Sequence, residues 1–374
     1  MDIFLDDITS LVLLRTVARG KDGLALAPSP YMAPQPMSTG TVKLNSLGIP
    51  KLLWYLQVPE SRMLGILVPS AQTRIRSYGI NCAVRSRLRG ETPFRELVSA
   101  DVCEPSPLLS NVHVHVMDCV NVVLGMSGRL RERVRRGEMG EKQATLMLVK
   151  LCLELCGTYS HDPFDPHKGT VTYNTQPLTS AKELREGLSS VGNERGLNMA
   201  RKAAELAYDR SGSPQESFMG PALFYETGCG GLMLGKLVPN KPLELSPSER
   251  MAIDYRTITP DFTLEGYESV VEYMGAEHAE GKNPQIDHIR ALDYQTLSIR
   301  VFEFWYDDVR KQEDFMRSAA RIVNVMEQYD GPAVRQRFLR LSRNKAFLAN
   351  QKRYLRCSGR GSAKFGPVLA PTLG

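Results

Sequence analysis

No stretch of the chain approaches the ~18 consecutive apolar residues that a membrane-spanning helix requires, so no such helix is expected. Cysteine is sparse: the seven present are an odd number without regular spacing, which excludes a disulfide framework and points to a reducing compartment. The first residues, Met1 to Asp7, are acidic and lack the basic start and cleavage site of a secretory signal, so a cytoplasmic location is expected. There is no G-x-x-x-x-G-K-[ST] phosphate loop and no G-x-S-x-G nucleophile elbow. Acid is missing altogether from residues 331–374, which hold ten Lys or Arg, so the rest of the chain is net −4 within a total of +6.

What is there reads as an ordinary folded protein, 42% hydrophobic and 24% charged over 374 residues, long enough for about two domains. Three segments are expected: a mixed α+β region over 1–200, a second domain over 201–330, and a basic tail over 331–374. In the first, the spacing of Ile8, Leu11, Leu14 and Val17 predicts a short amphipathic helix within residues 1–20, followed by a loop over 21–50. Leu52–Val58, Met63–Val68 and a half-buried strand through Val112, Val114 and Val116 are the predicted strands, and Arg129–Arg136 reads as a charged linker. Gln143–Cys156 is apolar nearly all round and predicts a buried helix stopped by Gly157. Ser180 and Glu183 form a capping box, and Asn193 is placed to cap a helix running to about Arg210. Cys152, Cys156, His161 and His167 have zinc-ligand residue types, but both cysteines fall on the buried helix, where core packing is the better reading. His113 and His115 share one strand face with no third ligand and read as structural.

The informative stretch lies in the second segment. A strand-like Phe262–Leu264, a turn around Gly266 and a second strand through Val271 separate Asp261 from Glu272 by ten residues, with the turn at the midpoint. Folding that hairpin sets the two acids opposite each other, an arrangement that repels unless something sits between them. A divalent cation with hard oxygen ligands, of the kind used in phosphodiester chemistry, would fit there.

Pro260-Asp261, the ten-residue gap and Glu272-Tyr273 resemble the PD-(D/E)xK nuclease signature. The continuation through Gly275, His278, Asp287 and Arg290 into a strand, with Ser213-Pro214-Gln215-Glu216 upstream, is similar to the Vsr-type very-short-patch-repair-like endonuclease domain. The resemblance implies a restriction-endonuclease-like mixed-sheet sandwich within an α/β fold that cleaves DNA with Mg²⁺ or Mn²⁺. In that reading Asp261 and Glu272 hold the metal, His278 assists proton transfer, and Glu216, Tyr273, Asp287 and Arg290 support the site. Met274 departs from the pattern, because Lys or Asp stands there in relatives and a thioether supplies neither a point charge nor a metal ligand. Two functions therefore stay open: a metal-dependent DNA endonuclease weakened by Met274, or a catalytically inactive nucleic-acid-binding or toxin–antitoxin-type regulatory protein with a protein partner.

Several of these residues have simpler roles. Glu216 completes a capping box with Ser213, and Asp287 with Arg290 could be an ion pair along one helix. In the tail, Arg335, Arg337, Arg340, Arg343 and Lys345 alternate with apolar residues as in a basic helix, and Lys352, Arg353 and Arg356 follow. Such a run binds phosphate backbones without sequence preference; otherwise it is a solvated tail. The interior Gly220-Pro221 pair is awkward for the helix predicted from Ser213. Leu232–Val238, after the turn at Gly228–Gly231, and Leu297–Phe304 read as further strands, with a helix from Asp287 to Tyr294 and another after Asp308.

Overall fold

The computed structural model describes residues 2–20, 24–35, 64–70, 80–84, 88, 93–99, 113–166, 169–255, 257–275, 284–309 and 311–356. The predicted strand Leu52–Val58, His167 and His278 lie outside them. The chain is mixed α/β and divides into two compact units, with the boundary between Ala207 and Tyr208 rather than at 200. Among the described residues no helix is long and apolar enough to cross a membrane.

Unit 1 contains β1 (Asp2–Phe4), α1 (Asp7–Ala18), β2 (Leu24–Pro28), β3 (Leu64–Val68), β4 (Ile80–Val84), β5 (Phe94–Ser99), β6 (His113–Met117), α2 (Cys119–Arg135), α3 (Glu141–Leu155), β7 (Tyr159–Ser160), β8 (Thr172–Tyr173), α4 (Ala181–Ser190) and α5 (Leu197–Leu206). One sheet runs β1-β6-β5-β2, with β1 and β6 parallel and the other pairs antiparallel, while β3 and β4 form a parallel pair. The first helix therefore begins at Asp7, because Ile3 and Phe4 are committed to β6. Its acidic start is turned inward: Asp6 caps α1 by accepting the Thr9 N–H at 2.8 Å, and Asp7 meets Arg129 at 2.6 Å.

Four further expectations are corrected. Part of the loop over 21–50 is β2, whose backbone pairs with β5. The strand β6 is buried on both faces, His115 being 1% exposed, stacked on Phe4 and hydrogen-bonded to Ser29 at 3.0 Å. Residues 129–135 are the second half of α2 and not a linker, since Glu132 binds Arg135 at 2.7 Å and Arg136 at 3.1 Å one turn on. The helix expected behind Asn193 opens at Gly196, whose φ of 85° suits glycine, and it ends at Leu206. The capping box at Ser180 and the buried helix ending before Gly157 are as expected. Burial pushes the Cys152 thiol up to about 12, as befits an inert core cysteine.

Unit 1 buries a bidentate ion pair. Arg15 donates from Nε to Glu154 Oε1 and from Nη2 to Oε2, both at 2.8 Å, with both residues buried. Burial raises the Glu154 carboxyl, but Arg15 and His161 outweigh it and hold the group below its usual range.

Unit 2 contains α6 (Glu216–Phe224), β9 (Leu237–Pro239), α7 (Pro247–Ala252), β10 (Phe262–Leu264), β11 (Ser269–Met274), α8 (Pro284–Thr296), β12 (Arg300–Trp305), α9 (Gln312–Asp330), α10 (Ala333–Arg343) and α11 (Lys345–Arg356). Its sheet runs β12-β11-β10-β9: an antiparallel meander whose last strand is joined by α8 to a parallel β12. The awkward Gly220 is required by contact, because a Cβ there would stand 2.6 Å from the Tyr208 hydroxyl and 3.1 Å from Phe262. Most of Leu232–Val238 is not a strand. Leu232 and Leu234 donate their N–H groups to the carbonyls of Ala222 and Leu223 at 3.1 and 2.9 Å, satisfying the C-terminal end of α6.

The basic segment after 331 is also no free tail over the described residues. Phe338, Phe347, Tyr354 and Leu355 are buried, and Tyr354 stacks on Phe218 of α6 while donating its hydroxyl to the Phe218 carbonyl at 2.6 Å.

Replacing Arg15 by Met should leave Glu154 buried without its main partner and lower the unfolding free energy by about 3–5 kcal/mol. The double change Arg15→Met, Glu154→Leu should cost much less. Denaturant titration of the three proteins checks this, and equal losses in single and double variants would contradict it.

Candidate active site

Three acids far apart in the sequence meet at one end of the unit 2 sheet: Glu216 at the start of α6, Asp261 just before β10, and Glu272 within β11. The hairpin register pairs Phe262 with Val271, so the next positions outward are Asp261 and Glu272. Gly266 and Glu268 take the left-handed conformations of the turn, at φ of 90° and 47°. Side chain and backbone then interlock, with the Tyr273 N–H donating to Asp261 Oδ2 at 2.7 Å and the Asp261 N–H lying 3.5 Å from Glu272 Oε2.

Glu216 does only half of its expected capping. Its N–H donates to Ser213 Oγ at 3.1 Å, but its carboxylate accepts from the Gly212 N–H at 2.7 Å and from Asn240 Nδ2 at 3.2 Å. Asn240 is itself tied to the hairpin through its N–H on the Asp261 carbonyl, at 3.0 Å. No motif or spacing in the sequence singles Asn240 out.

Glu272 is 6% exposed, and its Oε1 accepts from Arg290 Nη2 at 2.7 Å and from the Tyr294 hydroxyl. Arg290 is one turn before Tyr294 on α8, where its guanidinium lies 5.8 Å from the ring centroid and Nη2 also donates to the Thr259 carbonyl at 2.9 Å. Asp287 is on the same helix, but its side chain, and so the expected ion pair with Arg290, lies outside the described set. Tyr273 contributes its backbone N–H, and its ring alternates to the opposite sheet face from Glu272.

Two neighbours share the Glu272 face. Met274, two residues on, ends β11 half-buried opposite Trp305, and Glu303 is the register partner of Glu272 on β12 and exposed. Strand alternation alone would have found Glu303.

The electrostatics follow from crowding. Burial of its carboxyl is the largest cause raising Asp261 well above the usual value of 3.8, and Glu216 and Glu272 raise it further. Burial likewise raises Glu216, with Glu272 adding to it, and raises Glu272 in spite of Arg290. Hard carboxylate oxygens in excess over cations suit a divalent ion of the Mg²⁺ type, which needs only one or two protein carboxylates beside water. Asp261 Oδ1 accepts no hydrogen bond from a described residue and is available to one. Among the described residues, however, no group of three or more His, Cys, Asp or Glu side chains is arranged as a ready-made metal cage.

Of the basic residues, Arg335 is paired with Glu327 at 3.1 Å and Arg337 with the Met233 carbonyl at 2.6 Å. Arg340, Arg343, Lys345 and Lys352 stand exposed on α10 and α11, and Arg353 and Arg356 lie on α11. No protein-family model, curated protein or solved structure matches this chain.

The raised carboxyls make stability depend on pH with a definite sign. Below the ordinary carboxylate range both folded and unfolded chains are protonated and nothing is lost. As pH rises, the folded state holds protons that the unfolded state has released, so stability falls until the folded-state pKa values are passed. Asp261→Asn should remove part of that loss. Relative to the wild type, its unfolding midpoint should rise as pH increases above the ordinary aspartate value of 3.8; a constant or reversed difference would contradict the burial and charge crowding assigned to Asp261.

Proposed function

We propose that unit 2 is a Vsr-like, restriction-endonuclease-like domain that hydrolyses DNA phosphodiesters with a divalent metal, at a rate limited by Met274. The observation that carries this reading is the convergence of Glu216, Asp261 and Glu272 at the end of a mixed sheet, where burial raises all three carboxyls and the neighbouring acids raise Glu216 and Asp261 further. Crowded, shifted acids concentrate at functional sites, since a fold gains nothing in stability from them. The meander, the crossover through α8 and the parallel β12 support the sandwich that the sequence resemblance implies.

Asp261 and Glu272 would hold Mg²⁺ or Mn²⁺, with Glu216 behind Asp261. When bound, the metal supplies an acidified water and charge stabilisation on phosphate. The chain's own residues set the rest. Asn240 and the Gly212 N–H orient Glu216, the Tyr273 N–H orients Asp261, and Arg290 with Tyr294 orients Glu272. His278 keeps the proton-transfer role. The exposed Arg340, Arg343, Lys345 and Lys352 supply sequence-independent affinity for DNA.

A second reading has two observations in its favour. Met274 brings no charge to the acid face, and Glu272 Oε1 is occupied by Arg290 and Tyr294, as in a nuclease fold retained for nucleic-acid binding or regulation alone.

A plasmid-nicking assay with Mg²⁺ or Mn²⁺ separates the two. Slow nicking by the wild type, lost in Asp261→Ala, is expected, and Met274→Asp should raise the rate by roughly 10² to 10³ because residue 274 shares the Glu272 face. DNA binding without nicking in either protein would favour the second reading. Robust cleavage indifferent to Asp261 and Glu272 would place the reaction centre elsewhere.

Changing Arg340, Arg343, Lys345 and Lys352 together to Gln should weaken DNA binding and flatten the plot of log affinity against log salt by about 0.9 per lost phosphate contact. This variant is preferable to deleting the segment, whose buried aromatic residues hold α6. An unchanged slope would show these side chains to be inert.

A further inference from the structure

We infer that Arg290 contacts a DNA phosphate and supplies the positive charge that Met274 cannot. The inference rests on the endonuclease reading for its substrate, and on geometry for the residue.

Arg290 is gripped at a single nitrogen. Nη2 donates to Glu272 Oε1 at 2.7 Å, to the Thr259 carbonyl at 2.9 Å and faces the Tyr294 hydroxyl at 3.4 Å. The Tyr294 ring lies beside the guanidinium, so the planar group is fixed from several directions at once. Nε and Nη1 have no partner among the described residues, and the side chain is 38% exposed. A guanidinium carries N–H donors on all three nitrogens, so one that is clamped at one nitrogen and open at the others presents an oriented cation to an incoming anion.

The position of that cation identifies the anion. It adjoins Glu272, whose neighbours Asp261 and Met274 flank the hairpin end where the metal-binding carboxylates meet. The DNA group that must come closest to those carboxylates is a phosphodiester, which guanidinium recognises by charge and by hydrogen bonds. Lysine at position 274 would have brought a point charge from the strand; Arg290 brings one from α8 instead. The expectation that it serves only as an ion-pair partner leaves two of its nitrogens unused.

Substitution by Lys tests this directly. A compact ammonium can remain on Glu272, so Arg290→Lys should fold like the wild type, whereas Arg290→Gln also leaves Glu272 without a cation and shows what loss of that pair alone does. Binding of a short DNA duplex is measured over a salt series with Ca²⁺ in place of Mg²⁺, and plasmid nicking with Mg²⁺, after thermal melting has established that Arg290→Lys is folded.

For Arg290→Lys the salt slope should fall by about 0.9, the share of one phosphate contact, and nicking by roughly 10² to 10³. A wild-type slope in Arg290→Lys overturns the inference and leaves Arg290 as the structural partner of Glu272. Nicking abolished by Asp261→Ala but untouched by Arg290→Lys upholds the endonuclease and rejects the role of Arg290. A reduced slope with no nicking by any variant upholds the phosphate contact and rejects the endonuclease.

Discussion

The organisation of unit 2 depends on how a buried carboxylate, Glu272, is kept in place. It is held by one guanidinium and one phenol, both from α8, which tie that helix to the hairpin. An unpartnered carboxylate in such surroundings would cost several kcal/mol or take up a proton. With Arg290 the cost is reduced but not cancelled: burial still raises the Glu272 carboxyl, and Glu272 in turn raises the equally buried Glu216 and Asp261. When all are ionised, three acids and one arginine leave an excess of two negative charges. Protons can remove that excess, as the raised carboxyls imply, and so can a divalent cation.

Unit 1 meets the same problem and solves it differently. Arg15 covers both oxygens of Glu154, and the Glu154 carboxyl is pushed down although burial raises it. Near the start of α1, Asp6 and Asp7 share Arg129, and burial with the charge of Asp7 lifts Asp6 to about 6. Asp6 has a sufficient structural task in capping α1, and the backbone of Gly65 packs against its carboxylate. A matched pair and a capping residue need no ligand to explain them. The cluster in unit 2 has more acid than its caps and its arginine require, and that excess is what the proposed metal site would use.

The parts of this arrangement that were legible in the sequence are those fixed by local spacing. Ten residues with glycine at the centre determine a hairpin register, and hence the meeting of Asp261 and Glu272. Ser180 with Glu183 fixes a helix start in the same way. Failures arose where charge or apolarity was read without its partner. Arg133, Arg135 and Arg136 read as a linker because their acidic partners are hidden, Glu132 one turn back on the helix and Glu138 in the bend just past its end. The apolar Leu232–Leu234 looked like a strand but satisfies the end of α6, and the basic residues after 331 hid the aromatic face that packs them. The Arg290–Glu272 contact joins a helix to a strand across a crossover, and no local period encodes it.

The same charge balance lets methionine stand at position 274. Residue 274 is the last of β11, half-buried, with its carbonyl already accepting the Tyr306 N–H at 3.2 Å and its register partner Trp305 alongside. A thioether packs beside an indole readily. A lysine there would place a second cation near Glu272 and compete with Arg290 for it, loosening the tie to α8. An aspartate would add a further negative charge to a cluster that already exceeds its cations. Met274 avoids both, so the fold is relieved of electrostatic strain at this strand end, and in the proposed endonuclease the charge available to a substrate would be what Arg290 provides. If the proposed endonuclease reading holds, stability and chemistry make opposite demands on this one residue.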